Sequence, residues 1–375
     1  MGVRLDEADE YLHELGPEPN FNESMYLNCF DHDQGVGGWF RIGNRANEGR
    51  AEVTVCLYLP ATASALSADA AGGDSDNDAA GTIAPDDARS VAFMFRRSGI
   101  DHNDAFDAGG LQIDMVTPFE ELRVQYSGKV LLLDRPHEMA DPKAAFTTNP
   151  YAAAEIDLTF TGQGRPSMFG GEPDEPHEAP GEEFAKGHYE QLVEATGSMR
   201  IGEREWTIHG FGLRDHSWGP RYWQAPWYYR WLTGNVDPDL GFMASRVARR
   251  DGPGTRGGFV WEHGTMHLCD DVELRTVTVG DDAFHDQIEA TLRSSRSGRE
   301  WRLRGEAVSL IPLRNRRDTP EGDSLLTRIS EAYTRWTVVA DPDADAPGRD
   351  VDRTGYGMSE YLDQIIDGMP VGIDE

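Results

Sequence analysis

The fold turns on Trp206-Thr207-Ile208-His209-Gly210-Phe211-Gly212-Leu213-Arg214-Asp215-His216-Ser217-Trp218-Gly219. Residues 189–201 and 205–213 read as consecutive strands, and Gly219-Pro220 ends the second if it runs on. His209 alternates with Ile208 and Phe211 as a strand residue. The later part carries more charge and aromatic character than a strand needs. Alternation puts His216 and Trp218 on one face, with Arg214, and Asp215 on the other. At a strand end or bulge, Asp215 and His216 can instead aim into one cavity.

Outward from this stretch the chain keeps reading as strands. Val53, Val55, Leu57 and Leu59 alternate with Thr54, Cys56 and Tyr58, and Ile156, Leu158 and Phe160 alternate with polar neighbours. Leu122, Val124 and Tyr126 precede Ser127-Gly128, with Val130 and Leu132 after it, which predicts a hairpin. Further strands are expected over 226–235, 241–249, 257–263, 272–279, 285–294, 300–311 and 328–339. Many short strands punctuated by Gly, Asn and Asp predict an all-β protein of barrels or sandwiches. Helices are expected only at 3–16, with Leu5, Leu12 and Leu15 on one side, and over Tyr356 to Ile366, capped by Ser359. Residues 61–90 read as an exposed acidic insertion, mobile over 62–90, and 340–354 as an acidic loop. Residues 163–185 read as a linker between an N-terminal β domain (1–162) and a C-terminal one (186–375) that carries the Asp-His-x-Trp motif.

Composition narrows the function. The 375 residues suit about two domains. Lys and Arg total 35 against 66 Asp and Glu, a net charge of −31, and only Lys129, Lys143 and Lys186 are lysines. So acidic a surface repels phosphate backbones, which argues against nucleic-acid partners and large anionic substrates. The acidic excess with few lysines predicts adaptation to concentrated salt. No apolar run reaches the roughly 20 residues that span a bilayer, and the acidic start lacks signal-peptide character, so a cytoplasmic protein without membrane insertion is expected. Cys29, Cys56 and Cys269 are far apart and form no CxxC; each is expected as a small buried hydrophobe. GxGxxG, GxxxxGK[ST], HExxH and GxSxG are all missing, which lowers the odds of a dinucleotide enzyme, an NTPase, a zinc protease or an α/β-hydrolase.

The pattern of Tyr189, Gly197 and the Asp215-His216-x-Trp218-Gly219 strand end resembles the carotenoid 1,2-hydratase and AttH-like proteins. The resemblance is strongest over 188–246. Gly35-Val36-Gly37-Gly38-Trp39-Phe40-Arg41 and Phe106-Asp107-Ala108-Gly109-Gly110-Leu111 look like motifs of relatives. It implies two consecutive lipocalin-like β-barrels with the ligand in or between them, and a hydratase-type role for His216 and Trp218. The hydratases' further Tyr and Asp are absent from the matching strand, Gly241 to Arg246. Tyr228, Tyr229 or Glu262 stand on neighbouring strands. The superfamily also includes cyclase-type and non-catalytic members.

These readings give His216, Asp215 and Trp218 as catalytic residues. Substrate contacts are expected from Arg214, Tyr189, Glu190, Trp223, Trp227, Tyr229 and Trp231. Hydrating an alkene needs a proton donor, tolerance of a carbocation and a positioned water. A His held by Asp215 or Glu190 moves protons near neutral pH, and a Trp face steadies positive charge by roughly 0.5–2 kcal/mol. No cofactor and no metal is called for; Glu262, His263, His267 and Cys269 read as surface hairpin residues. The expected activity is a cofactor-independent lyase or isomerase acting on an apolar isoprenoid or related molecule. A non-catalytic lipid or terpenoid carrier is the alternative, and a filled relic a third. Polar groups converging on one end of an apolar cavity favour the enzyme, and a uniformly apolar cavity favours the carrier.

Overall fold

The computed structural model describes residues 3–60, 89–164, 167–174, 183–251, 254–318, 324–339 and 352–373. Of the expected insertion at 61–90 and acidic loop at 340–354, residues 61–88 and 340–351 lie outside the described residues, while 89–90 and 354 belong to strands. The first sheet contains β1 (Val3–Arg4), β2 (Phe21–Asp31), β3 (Val36–Arg45), β4 (Arg50–Pro60), β5 (Arg89–Gly99), β6 (Phe106–Ala108), β7 (Leu111–Thr117), β8 (Glu121–Leu133), β9 (Tyr151–Gly162), β10 (Phe169–Pro173), β11 (Gly187–Ile201) and β12 (Arg204–Pro220). A short helix, α1 (Pro142–Thr148), crosses between β8 and β9. The second sheet contains β13 (Tyr228–Asp237), β14 (Leu240–Ala248), β15 (Thr255–Glu262), β16 (Thr265–Cys269), β17 (Asp271–Val279), β18 (Phe284–Ser294), β19 (Arg299–Asp318), β20 (Ser324–Val339), β21 (Thr354–Ile366) and β22 (Met369–Pro370).

Every pairing is antiparallel, and in the first sheet the pairings form a ring. β11, β12, β2, β3, β4, β5 and β8 follow one another, and β9 pairs with both β8 and β11 to close the barrel. The second sheet runs β16-β15-β14-β13-β21-β20-β19-β18-β17 and curls until its ends meet, where Arg256 of β15 reaches Asp271 of β17 at 3.0 Å. This is the expected pair of lipocalin-like barrels.

Alternation explains the cores. Met25, Leu27, Cys29, Val53, Val55 and Leu57 fill the first barrel. Their outward neighbours Tyr26, Phe30, Cys56 and Tyr58 are buried as well, packed with Ile311, Tyr333 and Met358 of the second barrel. All eleven residues of β2 are therefore buried, one face in a lumen and the other against the neighbouring barrel. Tyr58 Oη donates to the Glu331 carbonyl at 3.0 Å across this seam. All three cysteines are free and buried.

Several expectations are corrected. The change of sheet falls between Pro220 and Tyr228, not across 163–185. β11 and β12 pair with β9 and β2, so the Asp-His-x-Trp strand belongs to the first barrel. A proline- and glycine-rich stretch looks like a linker, but β10 inside it is an added strand alongside β11. Residues 354–366 form a strand, not a helix. Its buried residues fall on both faces and show no clean period, which sequence alone cannot tell from a buried helix. At the N-terminus only Glu7–Glu10 makes a single helical turn, because Glu10 and His13 are drawn into the barrel mouth by polar partners described below. Finally, β8 runs straight through Ser127-Gly128. Tyr126 lies over Gly128, where a Cβ would fall 2.4 Å from its hydroxyl, and donates to the Lys129 carbonyl at 2.9 Å.

Candidate functional site

β12 keeps unbroken register with β11 from Arg204 to Trp218, so no bulge turns neighbouring side chains to one side. Arg214, His216 and Trp218 point into the first barrel. Asp215 and Ser217 point out, toward the second barrel.

The inward set makes a closed polar plug. Arg214 donates to both Glu10 carboxylate oxygens at 2.9 and 2.8 Å, with both side chains fully buried. Its Nε donates to Gln191 Oε1 at 2.8 Å. His216 is fully buried, with Tyr189 Oη 3.0 Å from Nδ1 and Glu23 Oε1 3.0 Å from Nε2. His13 Nδ1 meets the same Glu23 oxygen at 2.7 Å, and the His13 imidazole stacks on Trp218 with centroids 4.0 Å apart. Burial pushes the Glu23 carboxyl up, but the hydrogen bonds from His13 and His216 outweigh it and hold the pKa at about 2. Every ring nitrogen of His216 is spoken for, and His216, Trp218, Arg214 and Tyr189 do not reach a ligand cavity. They tie the N-terminal segment into the barrel mouth.

The outward set lines a cavity of about 930 Å³ between the barrels. Two cross-strand carboxyl pairs face it. Glu190 of β11 stands opposite Asp215 of β12, and Glu331 of β20 stands opposite Glu360 of β21. Like charges directly opposite are unfavourable, and burial adds to this. Burial pushes Glu331 well above the usual carboxylate range, the Glu360 charge adds to the rise, and Arg41 only partly offsets it. Burial also raises Glu360, although Tyr229, whose hydroxyl donates to its Oε1, works the other way. Both carboxyls of the Glu331–Glu360 pair thus give up their protons less readily than an ordinary glutamate.

In the first pair, burial raises Glu190, while His188 beside it pulls the other way. Trp231 of the second barrel donates from Nε1 to Glu190 Oε1 at 2.8 Å. His188 Nε2 hydrogen-bonds Asp215 Oδ2 and lies 3.3 Å from Glu190 Oε1. Burial draws the His188 pKa down, but the two carboxylates overcome this and raise it to about 10. His188 is an imidazolium at neutral pH, aimed into the cavity.

Of the residues expected from sequence, the cavity gathers Asp215, Glu190, Trp223, Tyr229 and Trp231. Trp227 lies elsewhere, its ring under the Arg250 guanidinium at 4.4 Å. Tyr228 packs against Arg230, and Glu262 accepts from Trp301 Nε1 at 3.2 Å, so neither reaches the cavity. Sequence reasoning missed His188, Glu331, Glu360, Arg41 and Arg221. Only His188 left a signal, since it lies two residues before Glu190 on the same strand face.

Two groups have metal-ligand spacing, His13–Glu23–His216 and His188–Glu190–Asp215, each with ligand atoms within 4.8 Å of one another. The first is committed to its own hydrogen bonds. Among the described residues the hairpin at 262–269 has no such cluster; His263 and Gly264 take positive φ (48° and 77°) at its turn, which breaks the face that a zinc site would need. No described helix is long and apolar enough to cross a membrane.

No protein of curated function is similar in sequence at a significant level. Solved structures with a similar fold include CghA, 12% identical over 92% of this chain and 88% of its own, with a TM-score of 0.46. An AttH candidate (NE1406) from Nitrosomonas europaea is 11% identical over 96% and 97%, with a TM-score of 0.48. Kievitone hydratase from Nectria haematococca is 9% identical over 95% and 94%, also at 0.48. A family model covers residues 6–97 and 76–365, and the chain belongs to the family described as "Domain of unknown function (DUF7064)".

Proposed function

We propose that the protein is a hydratase-like lyase or isomerase that adds water to, or removes it from, an unsaturated apolar molecule of isoprenoid or related type held between the barrels. The observation that carries this reading is the pair of acid groups, one from each barrel, facing one cavity, with Glu331 pushed well above the usual carboxylate range by burial beside Glu360. A carboxyl held protonated by burial is a proton donor poised at neutral pH.

The Glu331–Glu360 pair gives its proton to one alkene carbon. The rings of Tyr26, Trp39 and Trp231 line the cavity and steady the cation. A water oriented by Asp215 and the His188 imidazolium attacks the cation and leaves its proton on Asp215. The proton returns to the glutamate pair through solvent, and dehydration is the same path reversed. Phe93, Phe146 and Met243 give the rest of the wall its apolar character. A carrier needs no such acid groups, so the polar wall counts against the alternative reading.

The test is incubation with a panel of unsaturated isoprenoid acids and alcohols in heavy-oxygen water, with products weighed by mass spectrometry. The reading expects one heavy oxygen in the product, lost in Glu331→Gln. Compounds that bind but return unchanged would favour a carrier.

A further inference from the structure

The chain has far more carboxylates than cations, and its buried arginines take them up. Arg214 is paired with Glu10, Arg230 with Asp363 and Arg45 with Glu48. Two cavity-lining arginines break this rule. Among the described residues, neither Arg41 nor Arg221 forms an ion pair with a carboxylate. Arg41 Nη2 is buried without any hydrogen-bond partner. Arg221 is only 8% exposed, and its donors go to neutral oxygens, Nε to the Phe184 carbonyl at 3.0 Å and Nη2 to Ser217 Oγ at 2.8 Å.

Both guanidiniums lie near the Trp223 ring, with Cζ 5.7 Å from its centroid for Arg41 and 5.6 Å for Arg221. Two like charges in a buried place are costly unless an anion joins them. Burial, and then the neighbouring Arg41, lower Arg221 to about 10, and Asp215 offsets this only in part. Glu52, Asp215 and Glu360 act on Arg41, and Asp215 on Arg221, only from beyond ion-pair distance, so both guanidiniums keep donors for an anionic group on the ligand.

We infer that the ligand carries one carboxylate-type anionic group, bound by Arg41 and Arg221 beside Trp223, with its apolar body along the rest of the cavity. A planar carboxylate suits guanidinium forks. A diphosphate suits the Trp223 end less well, because its several charges would crowd two guanidiniums while Glu190, Asp215, Glu331 and Glu360 on the same cavity wall repel them. This deepens the reading above and rests on it for the cavity's being the ligand site. The test reads binding apart from turnover, so a protein that binds the acid and does no chemistry overturns only the enzyme reading.

The probes are farnesoic acid, farnesol and farnesyl diphosphate, with dodecanoic acid and dodecanol as a second chain type. Binding is followed by calorimetry and by tryptophan fluorescence. In the wild type, the acid binds at least about tenfold more tightly than the matching alcohol, as expected for charge-assisted hydrogen bonds. Arg41→Gln and Arg221→Gln each remove most of that preference and leave alcohol binding unchanged. Arg41→Lys retains part of it, and melting temperatures confirm that the variants fold. The proposal is overturned if acid and alcohol bind equally, if neither acid binds, if the diphosphate binds more tightly than the acid, or if the preference survives both glutamine variants.

Discussion

Glu331 and Glu360 stand directly opposite each other on β20 and β21, Glu331 buried and Glu360 partly so, on the face that looks across the cavity at Asp215. Two carboxyls so placed cannot both ionise cheaply, and the consequence is a proton held more tightly than on an ordinary glutamate. The cost is visible in stability. Below the ordinary glutamate value of 4.5, both the folded and the unfolded chain hold the Glu331 proton and there is no penalty. Above 4.5 the unfolded chain releases it while the folded chain keeps it, so stability falls as pH rises until the raised folded value is passed. Glu331→Gln, which cannot ionise, should be more stable than wild type above that window and should flatten the decline. Denaturant titrations between pH 4 and pH 9 (about one point per unit) check this. An unchanged slope would mean that Glu331 ionises normally.

Glu23 runs the opposite way. Its pKa is held at about 2, below the unfolded value, so its contribution is present above 4.5 and is lost as pH falls toward 2. A shift of this size corresponds to about 3 kcal/mol. Glu23→Gln should abolish the steep loss of stability on acidification. His216→Ala, which strips one partner from Glu23 and opens a hole in the plug, should lower stability by roughly 2–4 kcal/mol. His216→Gln should recover part of this. Both His216 variants should keep ligand binding, because the side chain does not reach the cavity. Loss of binding in a well-folded His216→Gln would restore this histidine to the site.

Removing the imidazolium should separate chemistry from folding. His188→Gln and Asp215→Asn should each cut turnover about a hundredfold or more and shift the melting temperature little. With His188 titrating near 10, activity that depends on its charge should decline above about pH 10, and that limb should vanish in His188→Gln. A pH–rate profile for both proteins checks it.

Stability should also rise with salt. The chain carries −31, and added ions screen its self-repulsion. Melting temperature should climb from dilute buffer to molar potassium chloride. A flat or falling curve would contradict salt adaptation.

Much of this was legible in the sequence, and the rest was hidden for identifiable reasons. Alternation in 51–59 and 156–160 announces half-buried strands, and it extends to a two-barrel protein. Asp215, Glu190, Tyr229, Trp223 and Trp231 stand out as polar or aromatic residues crowded into one region. The choice between Asp215 and His216 was not legible, since it depends on whether β12 carries a bulge. Unbroken pairing with β11 turns Asp215, and not His216, toward the cavity between the barrels. The Glu331–Glu360 pair was invisible for another reason. Read as a helix, 356–366 has no cross-strand partner, and only the β20–β21 register brings together two glutamates from distant parts of the sequence. Arg41 and Arg221 escaped notice because an unpaired arginine looks like any other until its surroundings are known.

The central claim is that the ligand lies between the barrels and not inside the first one. A crystal structure with the tightest-binding of the isoprenoid or fatty-acid probes tests it most directly. The account predicts ligand density in the inter-barrel cavity, its anionic group at Arg41 and Arg221 and its chain passing the Glu331–Glu360 pair. Density in the lumen of the first barrel, against His216 and Trp218, would contradict it.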